Sequence, residues 1–377
     1  MKIVFITTFE ILGPQKSGGE QCANRNLSLL RQCFGDEDVY VCAITENKEY
    51  LSKASGNTTA FYFKRSSKFI KLRNVFQGRW IVGKHAENAI LEHIISLGCD
   101  AVFLDRSLWG FLPKRLPKNM KKILFLHNME FEYAKRHLRT HPKVLLNIIP
   151  LMLNEATAIK NANVIITLNK RDDDILQKEY NYSSDLILPI TFDDYFIELH
   201  KDEDLRLSPT LQLLFVGTLF SSNEIGIMWF INHVMPHIKA ELSIVGRDFE
   251  KLTDKLIRHN VKVIGTVDDL SYYYNYADAV VSPILAGAGM KVKTAEAIMY
   301  GKPMFATDEA LEGYKVEGIK NIYRCNSPQE FIEAINSYAK NPPYLPVDNS
   351  IRELFLKNYH TPAYIPLLRE LLIKRCM

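Results

Sequence analysis

The stretch AVVSPILAGAGMKVKTAEAIMYGKPMFAT, residues 279–307, decides the fold of the second half of the chain. It begins with a β-branched apolar run, continues through a glycine-bearing loop into a segment with apolar residues at helical spacing, and ends in a second apolar run. The predicted buried stripe of this helix comprises Val292, Ala295, Ile298 and Met299. Gly301 and Pro303 end the helix and start the next strand. A buried strand, a helix and another buried strand in this order predict a parallel sheet covered by helices.

The charged residues of this stretch indicate a ligand. Lys291, Lys293 and Glu296 fall in the first turns of the predicted helix, where their desolvation is costly without a polar partner. Gly287 and Gly289 allow the backbone to approach a ligand closely. Lysines at a helix N-terminus favour a diphosphate, and a carboxylate one turn further on can accept hydrogen bonds from a vicinal diol. These features together describe a site for a nucleotide diphosphate.

The same alternation of apolar runs and helical patterns extends along the whole chain. In the first half the runs occupy residues 3–8, 39–44, 101–105, 123–127 and 164–168. In the second half they occupy residues 211–217, 241–246, 261–265, 279–283 and 303–307. An acidic, turn-prone stretch separates the two sets. They therefore predict two consecutive α/β domains with parallel sheets, as a length of 377 residues also favours.

The domain boundaries follow from these runs. We expect a first domain over residues 1–190, a linker over 191–208, a second domain over 209–345, and a helical segment over 346–377 that packs back toward the first domain. Ligands of parallel α/β sheets bind beyond the carboxyl ends of the strands. The functional residues are therefore expected in the loops that follow strands, in a cleft where the strand ends of the two domains face each other.

The composition is typical of a globular protein, with 47% hydrophobic and 24% charged residues. No window approaches the roughly 20 apolar residues needed to span a bilayer. The apolar N-terminus is interrupted by Glu10 without a cleavage site, and the six cysteines show no CxxC pair or metal-ligand spacing. We therefore expect a reduced, cytoplasmic protein.

The first 190 residues are the basic part of the chain, with 27 Lys and Arg against 19 Asp and Glu. Much of the excess lies in residues 63–79, which hold six cations and no acid between apolar residues, and in residues 113–122. Such a segment is a candidate for contact with an anionic membrane that presents a lipid-linked acceptor. The alternatives are a solvated basic face and packing on the domain core. We expect no nucleic-acid partner.

Three other strand ends of the second domain supply candidate donor-binding residues. Gly217 and Thr218 form a tight turn before a helix near Asn223, which is an anion-binding arrangement; alternatively, Asn223 is an ordinary N-cap. Arg247 places a cation after the next strand. Val267 lies in a polar loop whose backbone can contact a flat ring.

Four ordered elements then identify a resemblance. They are FVGTLFSSNEIGIMWF (215–230), LSIVG (242–246), VKVIGTVDDLSYYYNYADAVVSP (261–283) and GAGMKVKTAEAIMYGKP (287–303). Over residues 211–315 the chain resembles the donor domain of GT-B glycosyltransferases in the family-four superfamily. The resemblance implies two Rossmann-like domains facing across a cleft.

The resemblance also implies an activity, namely transfer of a hexose-type sugar from a nucleotide-diphosphate donor, with UDP as the expected nucleotide. The acceptor would be a glycan or a lipid-linked molecule in cell-surface polysaccharide or glycoconjugate synthesis, and the anomeric configuration would be retained. No cofactor or metal is implied. Two alternatives stay open: a sugar-nucleotide epimerase of the same fold, and a non-catalytic pseudo-transferase subunit that keeps the nucleotide site.

Single positions carry roles over from the resemblance. Glu296 matches the glutamate that binds the nucleotide ribose, and Lys293 matches the catalytic lysine near the phosphates. The backbone that approaches the diphosphate and sugar matches Gly289, Met290, Lys291 and Val292. Ala288 is a departure, because many relatives carry there a glutamate that meets the donor sugar.

The first domain has its own candidates. Gly18 and Gly19 resemble the glycine loop that lies below the donor phosphates near the acceptor, and His127 resembles a histidine that reaches the transferred sugar. Arg106 follows a strand and is expected to meet an acidic or phosphorylated acceptor, and Glu130 is the nearest carboxylate for a catalytic base. The alternatives are an ordinary turn and a structural histidine.

The acidic run at residues 172–174 does not predict a metal site. Three aspartates at the start of a helix satisfy free backbone N–H groups and the helix dipole without an ion.

Overall fold

A computed structural model describes residues 1–13, 17–63, 84–110, 112–137, 145–197, 210–287, 289–340 and 347–376. It divides into two compact units, one of Met1–Pro189 with Tyr364–Met377 and one of Ile190–Ala363. Most of the basic segment 63–79, the residues 198–208 of the expected linker and Ala288 lie outside the described residues.

The first unit contains a parallel sheet of seven strands. The strands are β1 (Ile3–Thr7), β2 (Val39–Thr45), β3 (Thr58–Tyr62), β4 (Ala101–Asp105), β5 (Lys121–Leu126), β6 (Val164–Thr167) and β7 (Leu186–Ile187). Their order is β3-β2-β1-β4-β5-β6-β7, and Ile3 pairs with Val39 on one side and Ala101 on the other. β1 and β4 are buried along their whole length, as expected for strands covered on both faces.

The helices of the first unit that connect these strands are α1 (Gly18–Phe34), α2 (Lys84–Ser96), α3 (Leu112–Arg115), α4 (Glu130–His137), α5 (Leu145–Asn161) and α6 (Lys170–Tyr180). α1 begins immediately after Ser17, whose hydroxyl accepts a hydrogen bond from the backbone N–H of Glu20. The aspartates 172–174 lie in the first turns of α6, where Asn169 is the N-cap residue.

The second unit repeats the arrangement with six strands. They are β8 (Leu211–Val216), β9 (Ala240–Val245), β10 (Val261–Gly265), β11 (Ala279–Ser282), β12 (Met304–Ala306) and β13 (Ile322–Arg324). The sheet order is β10-β9-β8-β11-β12-β13, and all pairs are parallel. The prediction of two Rossmann-like α/β domains with parallel sheets is confirmed.

The helices of the second unit are α7 (Ser221–His233), α8 (Thr253–Leu256), α9 (Ser271–Tyr276), α10 (Val292–Met299), α11 (Asp308–Leu311), α12 (Pro328–Lys340) and α13 (Asn349–Asn358). α10 is the helix expected from the opening stretch, and its Ala295, Ile298 and Met299 are buried. The core of this unit includes Phe215, Phe230, Ile244 and Phe305.

The last helix, α14 (Ile365–Cys376), belongs to the first unit, whereas α13 belongs to the second. The segment 346–377 is therefore divided rather than a single helical piece. α14 packs on α1, where the Cys33 thiol lies 3.5 Å from the carbonyl oxygen of Ile365. Phe192 is bonded to Tyr359 and Thr361 in the second unit, so this part of the expected linker is structured. No helix among the described residues is long and apolar enough to cross a membrane.

Candidate active site

The loop after β8 and the start of α7 form the first element of the site. Gly217 continues the β8–β9 pairing, since its N–H donates to the carbonyl of Val245 at 3.0 Å. Asn223 is buried inside the first turn of α7, and its Nδ2 donates to the carbonyl of Thr218 at 2.7 Å. The N-cap residue is Phe220, without a side-chain capping bond, so the alternative of Asn223 as N-cap is wrong. The Asn223 amide instead links the predicted turn to a lysine.

Lys293 is that lysine. Its Nζ donates to Asn223 Oδ1 at 2.6 Å and lies 4.3 Å from the centre of the Phe215 ring. A Cβ atom at Gly217 would come within 2.9 Å of the same Nζ, so only glycine leaves room for the ammonium there. Burial lowers the pKa of Lys293 to about 7, because desolvation disfavours the charged form more than Glu296 stabilises it. The ammonium is therefore poised to gain from a bound anion.

Glu296 lies on α10, one turn after Lys293. The hydroxyl of Tyr274 donates to its Oε2 at 3.2 Å, and the Tyr274 ring stacks on Tyr300 at 4.6 Å. Burial raises the pKa of Glu296, while Tyr274 and Lys293 partly oppose that shift. A carboxylate can accept about four hydrogen bonds, so Glu296 retains capacity for the two hydroxyls of a diol.

Lys291 immediately precedes α10, which begins at Val292. Its Nζ donates to Glu309 Oε1 and to the carbonyl of Gly289, both at 2.7 Å. Gly289 has a φ of 65°, a left-handed conformation that favours glycine. Lys291 is thus held against the glycine loop by an ion pair, and its charge is partly balanced.

The remaining donor-binding candidates lie nearby along the strand ends. Arg247 accepts a hydrogen bond from the N–H of Leu219 at its carbonyl, at 2.9 Å, so it adjoins the Gly217 turn. Its guanidinium lies 3.9 Å from the carboxylate of Asp248. Met290 is buried in the glycine loop beside Lys291. Val267 follows β10, which is two strands away from β8 in the sheet.

The first unit gathers its candidates around His127. Nε2 of His127 lies 2.8 Å from Oδ1 of the fully buried Asp105. The same carboxylate accepts hydrogen bonds from the Thr7 hydroxyl at 2.8 Å and from the Asn26 amide at 2.9 Å. The tertiary structure therefore gives His127 a strongly bound carboxylate partner at the carboxyl end of β4.

The charge state of His127 follows from this partner. Burial by itself would lower its pKa, but Asp105 and Cys22 outweigh burial and raise it to about 10. For Cys22, burial by itself would raise the pKa, but His127 and Arg25 outweigh it and lower it. His127 is therefore an imidazolium at neutral pH, which can donate a hydrogen bond but cannot accept a proton.

Arg106 and Glu130, predicted separately, form an ion pair with 3.1 Å between Nη2 and Oε1. The guanidinium lies 4.7 Å from the centre of the Phe9 ring, and Arg106 has a φ of 138°. A Cβ atom at Gly19 would overlap the Phe9 ring, which also lies 4.8 Å from the His127 ring. Phe9 thus brings together Gly19, Arg106 and His127. Gly18 is the first residue of α1.

Several residues of these two clusters were missed in the sequence. They are Thr7, Phe9, Cys22, Asn26, Asp105, Phe215, Tyr274 and Glu309. Asp105 and Glu309 each follow an apolar run within two residues of its end, so a search for every acid at a strand end would have found both. No three or more His, Cys, Asp and Glu side chains within the described residues form a group that could hold a metal ion.

Comparison with known proteins defines the class. The whole chain has the fold of GT-B glycosyltransferases. It superposes on a glycosyltransferase from Rickettsia africae with a TM-score of 0.66 at 14% identity, covering 99% of this chain and 98% of that one. HepE from Anabaena, solved with UDP and glucose, gives 0.65 at 12%, covering 99% and 100%. TarM from S. aureus, solved with Fondaparinux, alpha-GlcNAc-glycerol and UDP, gives 0.64 at 12%, covering 98% and 99%.

The sequence comparison adds the family of the second domain. Residues 210–341 match the family described as glycosyl transferases group 1. This match includes Gly217, Asn223, Lys293, Glu296 and Glu309, so the cluster lies inside a glycosyl transferase group 1 domain. No curated protein matches the chain.

Proposed function

We propose that this protein is a glycosyltransferase that uses a nucleotide-diphosphate sugar, with the donor bound by the second unit. The observation that carries the proposal is the buried ammonium of Lys293, which lies 2.6 Å from Asn223 and one turn from Glu296 within the family match. A buried cation with a lowered pKa beside a glycine turn is an arrangement that a diphosphate would stabilise.

Each part of the cluster has a role in this reaction. Lys293 and Lys291 stabilise the negative charge that grows on the departing diphosphate as the glycosidic bond breaks. Glu296 accepts hydrogen bonds from the ribose hydroxyls. The turn at Gly217 and Thr218, the backbone at Gly289 and the carbonyl of Arg247 allow close approach to the phosphates.

The finer assignments are part of the same proposal. The nucleotide is UDP and the sugar is of the hexose type, supported by the UDP and glucose in the HepE complex and the UDP in the TarM complex. The acceptor is a glycan or a lipid-linked molecule of a cell-surface polysaccharide or glycoconjugate. The anomeric configuration is retained, which NMR of the anomeric proton in the product would test; an inverted product would contradict it.

In the first unit, His127 donates a hydrogen bond from its imidazolium to an oxygen of the transferred sugar or the acceptor. Arg106 and Glu130, as an ion pair, contribute positioning rather than proton transfer. No metal ion takes part, since the two lysines supply the charge at the diphosphate. Activity in excess chelator tests this, and rescue by manganese of an enzyme inactivated by chelator would refute it.

The protein is further proposed to act at the cytoplasmic face of a membrane, with residues 63–79 on an anionic surface. Co-sedimentation with anionic liposomes at low salt tests this contact. A protein that stays in the supernatant would leave the basic segment without that role.

The central experiment measures binding and turnover separately. Calorimetry should show binding of UDP, and Glu296→Gln should weaken it by roughly 1.5–3 kcal/mol through loss of charge-assisted bonds. Glu241→Gln is the matched control, because Glu241 forms a surface ion pair with Lys262. Equal affinities of wild type and Glu296→Gln would remove Glu296 from the site.

Turnover with a panel of UDP-sugars and glycan acceptors then decides among the activities. Transfer to an acceptor supports the proposal. Epimerisation of the sugar nucleotide without acceptor would instead indicate an epimerase, and binding without any turnover would indicate a pseudo-transferase. Failure to bind any nucleoside diphosphate would refute the donor site itself.

A further inference from the structure

An ion pair covers the glycine loop of the second unit. Lys291 Nζ and Glu309 Oε1 are 2.7 Å apart, and their side chains are only 13% and 22% exposed. A Cβ atom at Gly287 would lie 3.2 Å from Cε of Lys291 and 3.3 Å from Oε1 of Glu309. Glu309 therefore lies directly over the loop that precedes α10, although it comes from a different strand end.

Glu309 is held in this position by α11. The hydroxyl of Thr307 caps α11 by accepting from the N–H of Ala310, and it donates to the carbonyl of Ile284 at 2.6 Å. The Thr294 hydroxyl on α10 donates to the carbonyl of Ala310 at 2.8 Å. α11 is thus bonded both to the segment after β11 and to α10, so the carboxylate cannot easily move away from the loop.

A carboxylate at this place opposes the binding of a bare diphosphate. Like charges repel at short range, and the repulsion is larger in a partly buried site than in water. A diphosphate that binds Lys291 also competes with Glu309 for the same ammonium. Glu309 then requires other hydrogen-bond donors, because a buried carboxylate without donors is costly. The hydroxyl groups of a sugar attached to the diphosphate are such donors.

We propose that Glu309 is a specificity-determining residue of the donor site, whose carboxylate accepts hydrogen bonds from hydroxyls of the transferred sugar. The inference rests on the proposed function and names what the site selects, a nucleotide sugar with free hydroxyls rather than the nucleoside diphosphate alone. A consequence is that the diphosphate product, left beside Glu309 after the sugar has gone, is bound less tightly and dissociates more readily.

The test compares two ligands on three proteins. Dissociation constants for UDP and for UDP-glucose, UDP-galactose and UDP-GlcNAc are measured by calorimetry on wild type, Glu309→Gln and Asp308→Asn. Asp308→Asn is the matched control, because the neighbouring carboxylate is 61% exposed and pairs with Arg324 instead. Thermal unfolding of each variant shows that it is folded.

The expected result is a change in preference. Glu309→Gln should bind UDP about threefold or more tightly than wild type does, and should lose about tenfold of the preference for the best UDP-sugar over UDP. Asp308→Asn should keep the wild-type ratio. A Glu309→Gln variant whose affinities for UDP and UDP-sugar change by the same factor, or not at all, overturns the inference while leaving the donor site intact. A wild type that binds no nucleoside diphosphate refutes the proposed function first, and this inference with it.

Discussion

At the scale of single residues, the protein keeps two buried cations whose charge depends on their surroundings in opposite ways. Lys293 has no close carboxylate hydrogen-bonded to it, so burial dominates and lowers its pKa to about 7. His127 has Asp105 at 2.8 Å, so the ion pair dominates and raises its pKa to about 10. Desolvation acts on both, and the presence of a bound carboxylate decides which way the pKa moves.

The lowered pKa of Lys293 predicts a pH-dependent affinity. A diphosphate binds the ammonium form, and in the free protein this form is lost as the pH rises above about 7. The affinity for UDP-glucose should therefore fall about tenfold between pH 7 and pH 8.5, a range in which the sugar diphosphate itself does not titrate. Calorimetry across this range measures the effect.

Lys293→Gln serves as the comparison for this slope. The variant should bind weakly at every pH, because the neutral amide offers no charge to the diphosphate. A wild-type affinity that stays constant from pH 7 to pH 8.5, or a slope that the glutamine variant shares, would show that Lys293 does not titrate in the donor site.

The raised pKa of His127 predicts a pH-dependent stability. A folded-state pKa of about 10 against about 6.5 unfolded means that the folded protein binds the extra proton between these values. The stabilisation is complete below pH 6.5 and is lost as the pH rises toward 10. Asp105→Asn should therefore lower the unfolding temperature most near pH 6, by an amount corresponding to about 3–5 kcal/mol, and less near pH 10.

Thr7→Val separates charge from hydrogen bonding at the same carboxylate. It removes one bond to Asp105 without changing any charge, so its cost should be similar at pH 6 and pH 9. If the cost of Asp105→Asn were equally independent of pH, His127 would not be an imidazolium in the folded protein.

At the scale of elements, close approaches between backbones define the second unit. Gly226 in α7 is buried against the loop after β11, and a Cβ atom there would overlap the carbonyl oxygen of Pro283. A Cβ atom at Gly246 would likewise overlap the carbonyl oxygen of Gly217. These contacts fix the turn after β8 next to the turn after β9, and fix α7 next to the strand that leads into the glycine loop.

Gly226→Ala tests the contact of α7. Alanine at an exposed helix position would stabilise the helix by up to about 1 kcal/mol relative to glycine. At Gly226 the overlap with Pro283 should reverse the sign and destabilise by about 1–3 kcal/mol. Urea unfolding measures the change, with Ile225→Ala as the control because that side chain is 58% exposed on the same helix. A more stable Gly226→Ala protein would contradict the close packing.

At the scale of the whole molecule, the chain returns to the first unit after completing the second. α14 packs on α1 with Leu368, Leu372 and Cys376 buried, so the N-terminal and C-terminal parts of the sequence share one core. The stability of the first unit therefore depends on a helix that is made last.

Leu372→Ala tests this dependence. Leu372 is fully buried, so the substitution should destabilise the protein by about 2–5 kcal/mol, whereas Leu367→Ala, at a position 50% exposed on the same helix, should change stability little. Urea unfolding measures both. Below the unfolding transition, binding of UDP by the Leu372→Ala variant should match wild type. Equal stabilities of the two variants would mean that α14 does not contribute to the core.

The sequence by itself determined the two parallel sheets, because fully buried strands must be apolar along their whole length and such runs are visible without a structure. It also placed Lys293 and Glu296 in one site, since helix periodicity brings residues three apart to the same side. The tertiary structure decided what no local pattern contains. Asp105 and His127 are 22 residues apart in the chain, and Lys293 and Asn223 are 70 apart.

Glu309 shows the same limit of local patterns. It reaches the glycine loop only because β11 and β12 are neighbours in the sheet. The pKa values, the division of the last two helices and the ion pair over the glycine loop depend on such long-range contacts. Chain folding creates these contacts, and a spacing along the sequence does not.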